Sequence, residues 1–266
     1  MQPAATPRLS RTIVIALGWL GLIFLLAPLA VVFPVSLTPE RYLSMPTDSI
    51  SFQHYAKLIS DTRWSSSILT SLWIAVLTTI AATTIGTLCA IGLWRLSGRL
   101  TQYLRILLLA PLIVPPIVHA LAFYRTWTDF NWLDTISGVV IAHTVLCIPL
   151  VLITVSTSLS GFDRRVEQAA RSLGASTFTV LRRIVVPNIA PGILAGAAFS
   201  FVTSWDEVVT VIFLTSRKVM TMPIVIWNSL SERVDPAVAA ISAVMILLTL
   251  IAVFLRLSKD RKPQGH

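Results

Sequence analysis

Two acidic residues stand side by side in an otherwise apolar stretch: Asp206 and Glu207, within Phe201 to Leu214. An ionisable group at membrane depth costs at least about 2.5 kcal/mol on insertion scales, so it is expected to face a cavity or an opposite charge. A carboxylate near aromatic rings makes a weak cation site, through Coulomb attraction and cation-π contact. Trp205, Tyr124, Trp127 and Trp227 are the rings available to it. Neighbouring residues on a helix point about 100° apart, so the two carboxylates cannot face one narrow path equally. Pairing with Arg125 or Arg217, or a contact with a second subunit, is the structural alternative. His119 and His143 also lie in apolar runs, and Cys147 follows His143 at i+4. Two ligands fall short of the usual three or four of a metal centre, and no orienting group accompanies them for nucleophilic catalysis. Neither a metal site nor an enzymatic constellation is expected.

The elements that must position these residues are set by composition. Of 266 residues, 55% are apolar and only 12% charged, with a mean hydropathy of +0.79. A soluble domain of that size cannot hide so much apolar surface, which excludes a secreted enzyme and a disordered chain. Six apolar runs, at about 12–37, 66–94, 104–123, 136–157, 189–215 and 237–256, predict an all-α integral membrane protein with six transmembrane helices. The first run exceeds the roughly 7–15 apolar residues of a cleavable signal, so it is expected to stay as a membrane helix.

Lys and Arg give the orientation. Fourteen of the 21 fall in the N-terminus, the second and fourth loops and the C-terminus, including Arg8, Arg11, Arg95, Arg164, Arg165, Arg256, Lys259, Arg261 and Lys262. The other seven, Arg233 among them, lie in the first, third and fifth loops. Both termini are therefore expected in the cytoplasm. The net charge of +9 is read as this topological signal, not as a nucleic-acid footprint. Two longer external segments, 38–65 and 216–236, have room for short interfacial structure. Trp64, Trp127, Trp132 and Trp227 read as headgroup anchors. Pro111, Pro115 and Pro116 inside the third run predict a bent or locally unwound helix, either a pathway wall or a packing kink.

The loop 158–188 is unusual for a connector because it reads as helical. Asp163 can cap a helix start, Val166 to Leu173 is rich in helix formers, and Ala169, Ala170 and Leu173 are expected on one face. Gly174 ends that helix, and a second short helical stretch, Phe178 to Val185, leads to Pro187, after which the next membrane run begins. With Arg164, Arg165, Arg171, Arg182 and Arg183 alongside, the helix can rest on anionic lipid or dock on a partner protein. The small Ala169 and Ala170 favour docking, since a lipid-inserting face would present bulkier side chains.

The run Gln168-Ala169-Ala170, three residues, Gly174, nine residues, Ile184, one residue, Val186-Pro187 resembles the Glu-Ala-Ala loop of permease subunits in ATP-binding-cassette importers. Gln168 stands where the pattern has Glu, with Glu167 just before it, and Val186 replaces Leu. The resemblance runs from about Ser66 to Leu255. Pro111 to Val118, His143 to Pro149, Ser204 to Glu207 and Asp235 to Ile246 look most like the second permease of spermidine and putrescine importers.

It implies a type I importer permease fold, with a first helix and external loop over 1–65, a permease domain over 66–256 and a tail over 257–266. It also implies a second, homologous permease, two ATPase subunits that bind ATP and Mg, a periplasmic or surface substrate-binding protein, and a bacterial inner-membrane location. The chain contains no Gly-x-x-x-x-Gly-Lys-Ser/Thr phosphate loop, so ATP hydrolysis is expected in the partner and this chain is not expected to be an enzyme. In such a permease, Glu167, Gln168, Ala169, Ala170, Arg171, Leu173, Gly174 and Pro187 would couple to the ATPase. Other cargo, such as an amino-acid-like compound or a phosphonate, is the nearer alternative. A secondary transporter using Asp206 and Glu207 as ion sites is the more distant one.

Overall fold

The computed structural model describes residues 8–260 apart from Asp48, Ser97 and Arg233. Arg233, Arg261, Lys262 and the tail past Asp260 thus lie outside the described residues. All regular elements among those described are helices: α1 (Arg8–Ser36), α2 (Gln53–Ser60), α3 (Thr62–Arg95), α4 (Arg99–Ile113), α5 (Pro116–Phe130), α6 (Ile136–Ser160), α7 (Arg164–Ser172), α8 (Thr177–Val180), α9 (Val186–Asp206), α10 (Val209–Leu214), α11 (Met222–Glu232) and α12 (Ala237–Asp260). A π-helical turn, Leu181–Val185, joins α8 to α9.

Among the described residues, four continuous helices are long and apolar enough to cross a membrane, in Thr12–Ser36, Thr62–Arg95, Ile136–Ser160 and Thr177–Asp206. The third apolar run forms a pair of helices, α4 and α5, bent by 102°, which makes a fifth span if counted as one. Val114 precedes a proline and is extended, Pro115 has no N–H to give, and Pro116 restarts the helix in its first turn. The apolar part of α12, Ala237–Ile251, is shorter than a full span.

Three expectations need correction, two about boundaries and one about anchors. The run 189–215 is not one helix: α9 stops at Asp206, Glu207 is extended, and α10 begins at Val209. Phe178 to Val185 is not a separate helix before Pro187 but runs through the π turn into α9. Pro187 has no N–H to donate, and a widened turn just before it is one way for the helix to absorb the gap; the Val186 N–H donates to the Leu181 carbonyl and Asn188 Nδ2 to that of Ile184 at 2.7 Å. Trp64 and Trp127 are not headgroup anchors, since both are buried.

The contacts divide the chain into two compact groups, residues 1–65 with 226–266, and residues 66–225. In the first, α12 packs on α1 and α2. Asp235 opens α12, accepting the Ala237 N–H at 3.0 Å, and binds Lys57 Nζ at 2.5 Å. In the second, α6 packs along α9. Gly192, Gly196, Ser200 and Ser204 recur every fourth residue on α9 and are all buried. A Cβ at Gly192 would lie 2.7 Å from the Thr154 carbonyl, and one at Gly196 would lie 3.0 Å from Val151 Cα. Small side chains let the two backbones approach, the usual device for helix association in lipid.

Candidate functional site

The loop helix α7 is short yet closed at both ends. Asp163 accepts the Arg165 N–H at 2.9 Å, satisfying one orphan donor of the first turn. At the other end Gly174 takes φ +83°, its N–H donates to Arg171, and the Ala175 N–H reaches back to the Ala170 carbonyl at 3.1 Å. This pattern is a Schellman cap, and an L side chain at Gly174 would be strained although space is open around it.

The helix has an inner and an outer face, and they are not those the sequence suggested. Ala170 turns inward with Ala175 against a core of α3, α6 and α9 residues, whereas Ala169 and Leu173 turn outward. Leu173 is 89% exposed and Phe178, just beyond, 69%. Gln168 is exposed as well. Glu167 faces inward, accepting from Arg95 Nη2 at 3.0 Å and from Arg171 Nη2 at 2.8 Å. Pro187 lies in the first turn of α9, away from this outer face in sequence.

At the break after α9 the two carboxylates part company. Asp206, the last residue of α9, is exposed. Glu207 Oε1 accepts the Thr210 N–H at 2.8 Å, capping α10 and placing its charge at the positive end of that helix. Trp205 is half-buried and stacks on Phe201 with centroids 6.0 Å apart. Tyr124 is an exposed residue of α5. Trp127 is buried: its indole donates to the Gly138 carbonyl at 3.0 Å and its ring meets Phe123 and Trp132. Trp227 is exposed and belongs to the other group of contacts. His143 shares a 2.9 Å hydrogen bond with Ser204, and the Cys147 thiol donates to the Ser200 carbonyl, so both face the small-residue seam of α9. Arg125 pairs with Asp129 on its own helix at 2.7 Å.

Asp134, which the sequence did not single out, lies in the turn between α5 and α6 with φ +56°. Its carboxylate accepts from four consecutive backbone N–H groups, Ser216 to Val219, at 3.0–3.2 Å. Burial alone would raise its pKa, but those four donors hold it well below the usual carboxylate range.

With this geometry in view, comparison with known proteins is informative. Residues 82–262 match the family described as the binding-protein-dependent transport system inner membrane component. The chain belongs to that family. As a permease of this kind it is similar to the spermidine/putrescine transport system permease protein PotC of Haemophilus influenzae, 30% identical over 239 residues, 90% of this chain and 93% of the relative. It is also similar to the putrescine transport system permease protein PotI of Escherichia coli, 29% identical over 237 residues, 85% of this chain and 83% of the relative. Among solved structures, a bacterial ABC transporter involved in import of the acidic polysaccharide alginate has the same fold, with a TM-score of 0.73 at 17% identity, covering 98% of this chain and all of that one. The family match takes in α7 and the α9–α10 break of this permease.

Proposed function

We propose that the permease works in an ATP-driven importer of polyamines or a similar small organic cation, and that α7 is the element an ATPase subunit grips. The observation that carries the reading is α7 itself: a helix capped at both ends, pinned by Glu167 on one side and offering Gln168, Ala169 and Leu173 outward. Leu173, with the exposed Phe178 five residues on, gives this loop apolar side chains that a partner surface can cover. In this reading α1, α3, the bent α4–α5 pair, α6, α9 and α12 supply six spans. Both termini and α7 lie in the cytoplasm of a bacterial inner-membrane complex. A homologous second permease and a binding protein complete the assembly, and ATP with Mg sits on the ATPase pair rather than here.

ATP biases the inward-facing and outward-facing states only through its different affinity for them, and a stiff helix is what lets that difference reach the membrane. The cargo reading is supported by the two polyamine relatives and by the exposed carboxylate Asp206 beside Trp205. Photo-cross-linkers placed along 163–174 in the assembled complex are expected to capture the ATPase subunit; capture of lipid alone would sink the docking reading. Uptake of radiolabelled putrescine by this chain without ATPase or binding protein would instead favour an ion-gradient transporter.

A further inference from the structure

Along the chain, α7 hangs between α6 and α8 on two short turns that contain Gly161 and Gly174. A helix so hung is free to swing unless something else holds it. Ala170 packs one side of it on the core, and the end of α3, 72 residues earlier, adds polar ties, beginning with Arg95 Nη2, which donates to Glu167. One turn away, Arg164 Nη2 donates to the Trp94 carbonyl at 2.7 Å, and its guanidinium lies 4.7 Å above the Trp94 ring. Phe162 meets the same ring edge-on at 5.8 Å. The side chains of Arg95 and Glu167 are only 26% and 12% exposed, so salt screens their attraction less than at an open surface. The guanidinium at the carboxyl end of α3 also satisfies an end carbonyl and complements the helix dipole. An ion pair, a hydrogen bond and a stacked cation, made by two neighbouring residues of α3, together fix both the distance and the angle of α7.

We propose that this clasp makes α3 a second output of the loop helix, so that displacement of α7 is delivered to α3 through Arg95 and Trp94 as well as to α6 and α9 along the chain. Arg95, Glu167, Arg164 and Trp94 are then positioning residues for transport. The inference rests on the coupling role given to α7 above. It also assigns work to Glu167 and Gln168: the charged residue holds the permease together, while the neutral one is left on the outer face.

The test uses the complete assembly in proteoliposomes, this chain with its permease partner, the ATPase pair and the binding protein, and counts radiolabelled putrescine carried per ATP hydrolysed. Arg95→Glu is expected to lower that ratio about tenfold, a usual size for coupling between sites. Combining Arg95→Glu with Glu167→Arg is expected to restore it, because opposite charges face each other again, a recovery that loss of folding would not give. Should Arg95→Glu fail to assemble, Arg95→Gln is read in the same way. An unchanged ratio, or a loss that the exchanged pair does not reverse, overturns the clasp. A wild-type assembly that carries no putrescine on ATP overturns the cargo and coupling reading itself, so the two failures are distinguishable.

Discussion

Two neighbouring carboxylates with different surroundings show how much a single residue's setting decides. Glu207 is occupied by the first turn of α10, whereas Asp206 is exposed with its charge unspent on any cap. Asp206→Asn is therefore expected to slow uptake of a cationic substrate while the complex still assembles; unaltered uptake kinetics would remove Asp206 from the pathway. Asp134 has the opposite use, a partly covered charge spent entirely on four backbone N–H groups. Because its folded pKa lies below the unfolded value, the stabilisation is complete at neutral pH and drains away as pH falls below about 4, where the unfolded chain takes up the proton first. Thermal unfolding in detergent should thus show the wild type losing stability in acid more steeply than Asp134→Asn. Parallel curves would mean that the four N–H bonds contribute little.

At the scale of elements, glycines decide two things by different physics. Gly174 is needed for its backbone: φ +83° costs an L residue about 1 kcal/mol or more. Gly174→Val is expected to leave the subunit inserted yet weaken uptake per ATP hydrolysed, and normal coupled uptake would show that the cap is dispensable. Gly192 is needed for its size, because α6 lies where a side chain would go. Gly192→Leu should cost about 1–3 kcal/mol through overpacking, seen as a lowered Tm of the detergent-solubilised protein; an unchanged Tm would mean that α6 and α9 can separate at little cost. The proline break between α4 and α5 belongs to this scale too, since it is a local backbone consequence that no neighbour is required to impose.

For the whole molecule, the proposed sidedness rests on the Lys and Arg distribution alone, and in that proposal α7 is cytoplasmic and α2 external. The permease's own cysteines, Cys89 and Cys147, lie in membrane helices, which keeps the background of a thiol assay low. In intact cells an impermeant maleimide is expected to label Ser60→Cys, in α2, and to miss Ser172→Cys, in α7, until the membrane is opened. Labelling of Ser172→Cys without opening would overturn the proposed topology. The proposed orientation would put α7 within reach of a soluble ATPase and the segments 38–65 and 216–236 within reach of a binding protein.

What could be read from the sequence was what depends on neighbours a few positions away. Apolar runs announced the membrane class, Asp163 and Gly174 marked the ends of α7, and the prolines marked a break in the third run. The glycine and serine repeat on α9 was equally legible and was missed, a signal of period four in an apolar run. Tertiary structure alone decided that Glu167 reaches Arg95, that Asp134 gathers the N–H groups of 216–219, and that Ala170 turns inward while Ala169 does not. The partners of Glu167 and Asp134 are separated from them by 72 to 85 residues and carry no mutual pattern. Local periodicity specifies which face of a helix is apolar, but which charge meets which is settled only when distant helices pack.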